Sequence, residues 1–482
     1  MAGQSLIDRG PLLFVAAVFA ALVLPALFMD GMFMDGVFYA SISRNFANGH
    51  GTFWNMQFSD THFIRMHEQP PLMFAFESVF FRLFSGIYPE RIYCAVTAVI
   101  NSILVVRSWK LITRSTRFNP SSSAGGASTA WLPLLLWIIM PVTFYAFTNN
   151  IEECTMTIFA LLAFNSILRA LFDTSEKKIY WIIAGMWILL AGLTKGIQGM
   201  FLLSAPFWCL VVLKNGTVKD FLVRLTLISL VPAAFILVAW FNPVIHQSLA
   251  DYFTSRFVKT FNNTTANADN HFHILFELLI DTLPTVGVMA IFALTGRKTP
   301  GFREKVLSGR RLIYFVFACA FSGIIPLMVT LEQRGFYLVT ALPFVAIACA
   351  LIIQPAAQRL SDYIRSEKTL ALSILTFSLL LFVAVMIVTI TRAGTFKRDE
   401  DKITSLHEVA AITGNDAIIG LGSEIGNDWP LITYAQRYHG LSVTDYRDPQ
   451  ARWSLMPKGA VPPDSSEQIP IKSAVYDLYR RR

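Results

Sequence analysis

Long apolar runs recur along most of this chain of 482 residues. They measure about 15 to 22 residues each, so most are long enough to cross a hydrocarbon core about 30 Å thick. The chain is 54% hydrophobic and 15% charged, whereas a soluble domain of this size carries roughly 25% charged residues. The sequence therefore predicts an all-α polytopic membrane protein.

The basic residues identify cytoplasmic loops rather than a nucleic-acid surface. The net charge is +8, but most lysines and arginines fall in short loops between apolar runs, as the positive-inside rule requires. The most basic loop covers residues 297–311. The five cysteines are scattered, most of them inside apolar runs, and their spacing predicts neither a disulfide framework nor a metal site.

The apolar stretch at residues 70–86 decides the topology. It is short and carries Glu77 and Arg82. If it lies at the membrane surface, the basic loops fall on the cytoplasmic side; if it spans, they move outside, against the Lys/Arg bias. We therefore expect eleven spans, the N-terminus inside and the C-terminus outside. They are predicted near residues 11–29, 92–106, 131–148, 155–172, 180–194, 197–213, 221–241, 275–295, 312–330, 336–353 and 370–391. The first run is not followed by a clear cleavage site, which favours a retained helix.

The residues after the last span differ in composition from the rest. Residues 1–391 are expected to form the transmembrane domain, which includes a first outer loop at 30–91 with interfacial helices. Residues 392–482 are polar and predict a small extracytoplasmic α/β domain. Its predicted strands lie near 417–422 and 441–446, on either side of a helix near 427–440.

Ionisable side chains at membrane depth are costly, so those on the predicted outer side are candidate functional residues. Asp35 precedes a segment with apolar residues at four-residue spacing, which predicts an amphipathic helix lying in the interface. Asp35 is either a functional carboxylate or only the N-cap of this helix. His67 and Glu68 directly precede Gln69 and paired prolines. They can bind a metal or a sugar hydroxyl, or they simply mark the start of a helix.

Basic residues also occur at predicted outer turns, where they are disfavoured. Lys195 lies between two apolar runs, and Arg334 repeats this pattern with Tyr337 after it. Such groups suit a phosphate, and snorkelling to lipid headgroups is the alternative. Glu152 and Glu153 form an acidic pair at another outer turn, which is either functional or simply solvated. The set favours an enzyme acting on a lipid phosphate over a transporter, which would carry charges near the midplane.

Five stretches resemble, in the same order, motifs of the C-type (GT-C) integral-membrane glycosyltransferases. They are DGVFYASISRN, HEQPPL, NNIEEC, AGLTKGIQG and QRGFYLVTALP, within residues 10–390. The chain is most similar to the branch of bacterial lipid A aminoarabinose transferases and protein O-mannosyltransferases. This resemblance implies a sugar donor linked to polyprenyl phosphate, such as undecaprenyl phosphate, and an acceptor outside the cytoplasm.

The resemblance also implies roles for individual residues. Asp35 matches the family's first-loop carboxylate, which acts as general base or positions the acceptor. Glu68 matches a glutamate that can be a metal ligand in relatives, and His67 lies beside it. Lys195 and Tyr337 match positions that contact the donor phosphate, where positive charge stabilises the leaving group.

Other positions extend this set or depart from the family pattern. Arg334 adds to the implied donor-phosphate contacts. Gln69 stands where the branch often has a phosphate-contacting lysine, and Phe38 stands where an arginine often follows the first-loop aspartate. The third-span carboxylate of the family is usually an aspartate, and here Glu152 or Glu153 takes its place, so both are candidate catalytic residues. His271 and His273 are candidates for a histidine that helps to hold a metal in some relatives.

We therefore expect a glycosyltransferase in the cell inner membrane, active on the periplasmic side. It would pass a sugar from the lipid-linked donor to lipid A, another envelope glycan or a protein. A lipid-linked sugar transporter or flippase, and a ligase of a longer glycan, are the alternatives. A divalent metal is the one cofactor that the resemblance allows. The expected partners are the donor, its acceptor and membrane lipids, with no nucleic acid, and the chain is expected to be a monomer.

Overall fold

The computed structural model describes residues 9–115, 129–173, 177–259, 266–296 and 301–482. Contacts divide these residues into two units. The membrane unit comprises the described residues up to Pro25 together with Ala95–Phe147 and Glu152–Thr389. The mixed unit comprises Ala26–Cys94, Thr148–Ile151 and Ile390–Arg482. By contacts, the first outer loop groups with the residues that follow the last span.

The described part of the chain is mostly helical. In chain order the helices are α1 (Gly10–Leu27), α2 (Met34–Ala47), α3 (Leu72–Leu83), α4 (Pro89–Arg114), α5 (Trp131–Ile138), α6 (Pro141–Phe147), α7 (Glu153–Phe172), α8 (Ile179–Lys195), α9 (Ala205–Val211), α10 (Val218–Phe241), α11 (Pro243–Tyr252), α12 (His273–Gly296), α13 (Phe302–Ser308), α14 (Arg310–Ile324), α15 (Leu342–Ser366), α16 (Lys368–Arg392), α17 (Glu400–Thr413) and α18 (Trp429–His439). Segments of 3-10 helix cover Gly196–Ser204, Ile325–Val329 and Gly335–Leu338, and a π-helical segment covers Phe253–Val258.

Within the described ranges, nine helical segments are long and apolar enough to cross a membrane. They are Gly10–Leu27, Pro89–Arg114, Glu153–Phe172, Ile179–Val211, Val218–Phe241, His273–Gly296, Arg310–Val329, Leu342–Ser366 and Lys368–Arg392. The chain is an integral membrane protein, as its composition predicts.

These nine segments and the eleven predicted spans differ at two places. The segment Ile179–Val211 contains two predicted spans, and the chain reverses between them at Gly196, whose φ is +71°. Gly199 then packs so closely on the backbone of Ala191 that a Cβ at residue 199 would collide with it. The predicted span 131–148 consists of α5 and α6, each too short to cross alone. The second of these helices begins at Pro141, which has no N–H to continue a helical ladder.

The segment between the predicted spans 221–241 and 275–295 contains a helix that the sequence analysis did not predict. Asn242 caps α11, because its Oδ1 accepts hydrogen bonds from the backbone N–H groups of Val244 and Ile245 at 3.1 and 3.2 Å. Pro243 occupies the first turn, where its missing N–H costs nothing. Residues 260–265 of this segment, and residues 297–300 of the most basic loop, lie outside the described residues.

The mixed unit contains the two helices of the first outer loop. Helix α3 has 12 residues and is therefore about 18 Å long, so residues 70–86 do not form a span, as the loop charges predict. Helix α2 packs against α3 and against α18. The exposed side of α3 carries Phe76, Val79 and Leu83, an apolar stripe typical of a helix lying in the membrane interface.

The C-terminal residues of the mixed unit form a small α/β fold, as predicted. The strands are β1 (Gly51–Thr52), β2 (Asn55–Met56), β3 (Ile418–Leu421), β4 (Ser442–Asp445), β5 (Trp453–Pro457), β6 (Ser466–Ile469) and β7 (Tyr476–Arg481). Strands β1 and β2 form a hairpin, and the other five form one sheet in the order β4-β3-β5-β7-β6. Strand β3 pairs in parallel with β4 and β5, whereas β7 pairs antiparallel with β5 and β6. The predicted strand–helix–strand segment corresponds to β3, α18 and β4.

Candidate functional site

The membrane unit holds a buried ion cluster around Lys195. The lysine is the last residue of α8, and its side chain is 8% exposed. Its Nζ lies 2.7 Å from Oε1 of Glu153 and 3.4 Å from Oε2 of Glu152. Both carboxylates are fully buried at the start of α7. Burial raises the pKa of the Glu152 carboxyl to about 8, so a proton on this group can balance the second negative charge.

Aromatic rings complete the surroundings of the Lys195 ammonium. Its Nζ lies 5.1 Å from the centre of the Tyr337 ring and 5.9 Å from that of Phe336, distances at which a cation is attracted to a ring face. The turn after the lysine requires glycine, because a Cβ on Gly196 would collide with the hydroxyl of Tyr252. The ammonium is therefore held by protein groups, which excludes simple snorkelling into lipid.

Tyr337 links this cluster to a second ion pair. Its hydroxyl donates a hydrogen bond to Oε1 of Glu332 at 3.2 Å. The same oxygen lies 3.4 Å from Nη1 of Arg256, a partly exposed side chain on the π-helical segment. Burial raises the pKa of Tyr337 to about 12, so its hydroxyl keeps its proton and remains a donor. A row of polar contacts thus leads from the buried lysine through Tyr337 and Glu332 to a partly exposed arginine.

The other predicted donor-phosphate residues do not belong to this cluster. Arg334 lies in extended backbone before the Gly335–Leu338 turn, and its side chain is exposed. Gln69 is buried in the mixed unit. Lys195, Tyr337, Glu152 and Glu153 are the predicted site residues that the structure brings together within one unit.

In the mixed unit, Asp35 is the second residue of α2 and is partly buried. The N-cap position belongs to Phe33, so Asp35 does not cap the helix. The backbone N–H of Phe33 donates to Oδ1 of Asn149 at 3.0 Å. A Cβ on Gly36 would collide with the carbonyl of Asn149. The turn at Thr148–Ile151 therefore packs directly against the first turn of α2, which carries Asp35.

Asn150 and Glu77 anchor this packing. Nδ2 of Asn150 donates to the carbonyl of Gly36 at 3.1 Å and to Oε1 of Glu77 at 2.7 Å. Oε2 of Glu77 accepts a hydrogen bond of 2.6 Å from the hydroxyl of Ser43. Glu77 has no exposed surface, and burial raises its pKa to about 8 although both hydrogen bonds oppose the shift. Burial therefore favours the protonated form of this carboxyl.

His67, predicted with Glu68 as a metal site, contacts protein groups in the structure. His67 is buried, and its Nε2 lies 3.0 Å from the carbonyl oxygen of Trp54 and 3.0 Å from Oδ1 of Asn55. Among the residues that the structure describes, no group of three His, Cys, Asp or Glu side chains could hold a metal ion. Nε2 of His67 is engaged by these two protein oxygens, and a metal at His67 and Glu68 stays a prediction.

The two histidines considered for the same metal have other contacts. Nδ1 of His271 lies 2.7 Å from the carbonyl of Met328. His273 lies 3.5 Å from Glu277 within the first turns of α12.

Several residues around these groups were missed by the sequence analysis. Glu77 was noted as a charge in an apolar stretch but received no role, although such a residue needs a partner. Asn150, Tyr252 and Arg256 were not singled out, because a polar residue in a loop carries no signal by itself. Their importance depends on contacts between residues far apart in sequence.

Comparison with known proteins gives likeness in structure alone. No family model and no curated sequence matches the chain. The crystal structure of ArnT from Cupriavidus metallidurans bound to undecaprenyl phosphate is similar with a TM-score of 0.66 at 14% identity, over 97% of both chains. Its apo state gives a TM-score of 0.64 at the same identity and coverage. The Archaeoglobus fulgidus oligosaccharyltransferase in complex with zinc and sulfate gives 0.50 at 13% identity, over 92% of this chain and 68% of that one.

At these identities the comparisons establish a shared fold. Nearly the whole chain takes part, because ArnT and this protein cover each other over 97% of their lengths. The fold that the five sequence motifs predict is thereby confirmed: the chain has the fold of the C-type membrane glycosyltransferases.

Proposed function

We propose that the chain is a membrane glycosyltransferase that uses a sugar linked to a polyprenyl phosphate. The fold supports this, since the similar ArnT structure was determined with undecaprenyl phosphate bound. The observation that carries the proposal is the buried ammonium of Lys195, held between two carboxylates and two aromatic rings at the end of a span-length helix. A buried lysine with internal partners at this depth suits a lipid-borne phosphate better than it suits the lipid surface.

The proposed reaction is an inverting displacement at the anomeric carbon of the donor. The acceptor oxygen forms a bond to this carbon while its proton passes to the carboxylate of Asp35, acting as general base. The bond between the carbon and the phosphate oxygen breaks, and its electron pair stays on the polyprenyl phosphate. Lys195 and Arg334 supply positive charge for this leaving group, and Tyr337 keeps the lysine in place.

The remaining predicted site residues have supporting roles in this proposal. Glu153 and Glu152 hold the Lys195 ammonium until the phosphate competes for it. Glu68 and Gln69, which directly precede the paired prolines, would hydrogen-bond polar groups of the substrate. The sugar and the acceptor are left open between lipid A, another envelope glycan and a protein.

Membrane location is part of the same proposal. Basic loops and a polar C-terminal region support an inner-membrane protein with its active side and C-terminus in the periplasm. We expect the chain to act as a monomer.

One observation favours a second candidate, a lipid-linked sugar flippase. The helix break between α5 and α6 lies beside a buried carboxylate, Asp281, within α12. Broken helices with charges at membrane depth are typical of transporters. Oδ1 of Asp281, however, accepts a hydrogen bond from the N–H of Val142 at 3.1 Å. It thus satisfies the first turn of α6, a structural role that leaves the transferase as the better supported function.

Mass spectrometry of the cell envelope tests the proposal. Lipid A and envelope glycoproteins from cells with and without the protein should differ by the mass of one sugar residue. A second arm supplies the lipid-linked donor on the outer side of the membrane. A flippase is not needed in that arm, so acceptors would then be modified equally with and without the protein. Identical acceptors in both cell types would contradict the transferase.

A further inference from the structure

A cavity of about 320 Å³ lies within the mixed unit, and it is not lined by Asp35, His67, Glu68 or Gln69. Its polar walls come from Arg44 of α2 and from Arg437 of α18. Phe81 and Phe84, at the end of α3, form an apolar wall. The proposed transfer reaction assigns no role to this cavity.

Arg437 is a rigid cation in this wall. It is 4% exposed, and its Nη2 donates to Oε2 of Glu90 at 2.5 Å and to the carbonyl of Gly86 at 2.8 Å. Its guanidinium carbon lies 4.6 Å from the centre of the Phe81 ring. Its Nε is buried without a hydrogen-bond acceptor among the described residues. A buried donor left without an acceptor is costly.

Arg44 adds a second cation to the same cavity. It is partly buried, and its Nη1 donates to the carbonyl of Gln436 at 3.1 Å. Burial and the charge of Arg437 lower the pKa of Arg44, and Asp416 only partly offsets them. Two guanidinium groups that repel each other across a cavity are stabilised by an anion between them, and their planar forks match a phosphate.

Apolar groups lie exposed beside this charged cavity. Phe84 lines the cavity and is 42% exposed, and Leu83 next to it is 68% exposed. The apolar stripe on α3 ends at the same point. A phosphate bound beside such a stripe would have its lipid chains on an apolar surface, as in the membrane interface.

We propose that Arg44 and Arg437 form a binding site for a phosphate monoester, carried by a lipid or free in solution. The apolar stripe of α3 favours the lipid. This site belongs to the mixed unit, whereas the Lys195 cluster belongs to the membrane unit, and the proposal does not depend on the proposed transfer reaction.

Hydrogen exchange of the full chain in a neutral detergent tests the site. The probes are dioctanoyl phosphatidate, dioctanoylglycerol, which has the same chains without the phosphate, and inorganic phosphate. Phosphatidate should slow exchange in peptides covering residues 80–90 and 434–441, and dioctanoylglycerol should not. Equal protection by inorganic phosphate would support the site and assign it to the free anion. Equal protection by dioctanoylglycerol, or none by either phosphate probe, would overturn the proposal.

Substitution of Arg44 tests whether its guanidinium group binds the phosphate. Arg44→Met should weaken phosphatidate binding by about tenfold or more, because charge-assisted hydrogen bonds are lost. Arg82→Met is the matched control: this arginine lies on α3, is exposed and does not line the cavity, so binding should stay within about twofold. Unchanged binding in a folded Arg44→Met protein would overturn the proposal. If that variant does not fold, the wild-type comparison of phosphatidate with dioctanoylglycerol decides.

Discussion

Asn150 donates a hydrogen bond of 2.7 Å from Nδ2 to Oε1 of Glu77, a carboxyl group with no exposed surface. The same Nδ2 also donates to the carbonyl of Gly36, the residue after Asp35. Glu77 thereby fixes a side chain that holds the first turn of α2. If Asp35 is the general base, its position depends on a buried carboxyl from another helix.

Substitution of Glu77 should separate the loss of this anchor from the loss of an ionisable group. Glu77→Ala removes both hydrogen bonds and leaves a cavity, so we expect a loss of about 2–4 kcal/mol in the free energy of unfolding. Glu77→Gln keeps the side-chain volume. It also keeps both hydrogen bonds, because its Oε1 can accept from Asn150 and its Nε2 can donate to Ser43. We expect Glu77→Gln to be at least as stable as wild type at pH 7, because a glutamine is buried uncharged without taking up a proton. Thermal unfolding of the full chain in detergent measures both, and equal losses would contradict the anchoring role.

The raised pKa of Glu77 makes stability depend on pH. The group has a pKa of about 8 in the folded protein and 4.5 as its ordinary value. Between these values the folded state binds one proton more than the unfolded state. Stability from this group is therefore lost as the pH rises, by about 1.4 kcal/mol per pH unit up to pH 8. Melting temperatures from pH 6 to 8 should fall more steeply for wild type than for Glu77→Gln, and parallel curves would refute the assignment.

The Lys195–Glu153 pair should show strong coupling. Lys195→Met leaves two buried carboxyls without their cation, and we expect a cost of about 3–5 kcal/mol in the free energy of unfolding. Glu153→Gln leaves Lys195 with Glu152, so its cost should be smaller. The double variant should be more stable than the sum of the single losses predicts, by about 1–3 kcal/mol. Additive losses, within about 0.5 kcal/mol, would show that the two side chains do not interact.

Lys195 should also affect donor binding. A folded double variant, Lys195→Met with Glu153→Gln, lacks the ammonium but keeps a balanced site. We expect its affinity for undecaprenyl phosphate, measured by native mass spectrometry, to fall about tenfold or more. Affinity equal to that of wild type would remove Lys195 from the proposed phosphate site.

Sequence reasoning located charges well and long-range contacts poorly. Lys195, Glu152 and Glu153 could be singled out because charged groups are rare next to apolar runs, and the structure places them together. Loop charge alone showed that residues 70–86 do not span. The tie between Glu77 and Asn150 joins residues 73 positions apart, and no periodicity encodes such a contact.

The fold was predicted only in part for the same reason. Strand β3 and helix α18 were predicted from local pattern, whereas the pairing of β5 with β7 depends on packing of the whole sheet. The break between α5 and α6 follows from Pro141, yet its completion by Asp281 comes from another helix. Local signals predict elements, and the contacts between elements emerge only in the folded chain.

The role of Asp35 is the central claim, and sugar transfer by purified Asp35→Asn protein tests it most directly. Wild type, Asp35→Asn and the control Asp60→Asn, at an exposed aspartate of the same unit, are compared on a panel of single sugars linked to undecaprenyl phosphate, with lipid A as acceptor. Mass spectrometry follows the release of undecaprenyl phosphate. The account predicts a loss of about 10²–10⁴-fold in rate for Asp35→Asn, with wild-type rates for the control and unchanged binding of undecaprenyl phosphate. A rate for Asp35→Asn within about twofold of wild type would contradict the assignment of Asp35 as the general base.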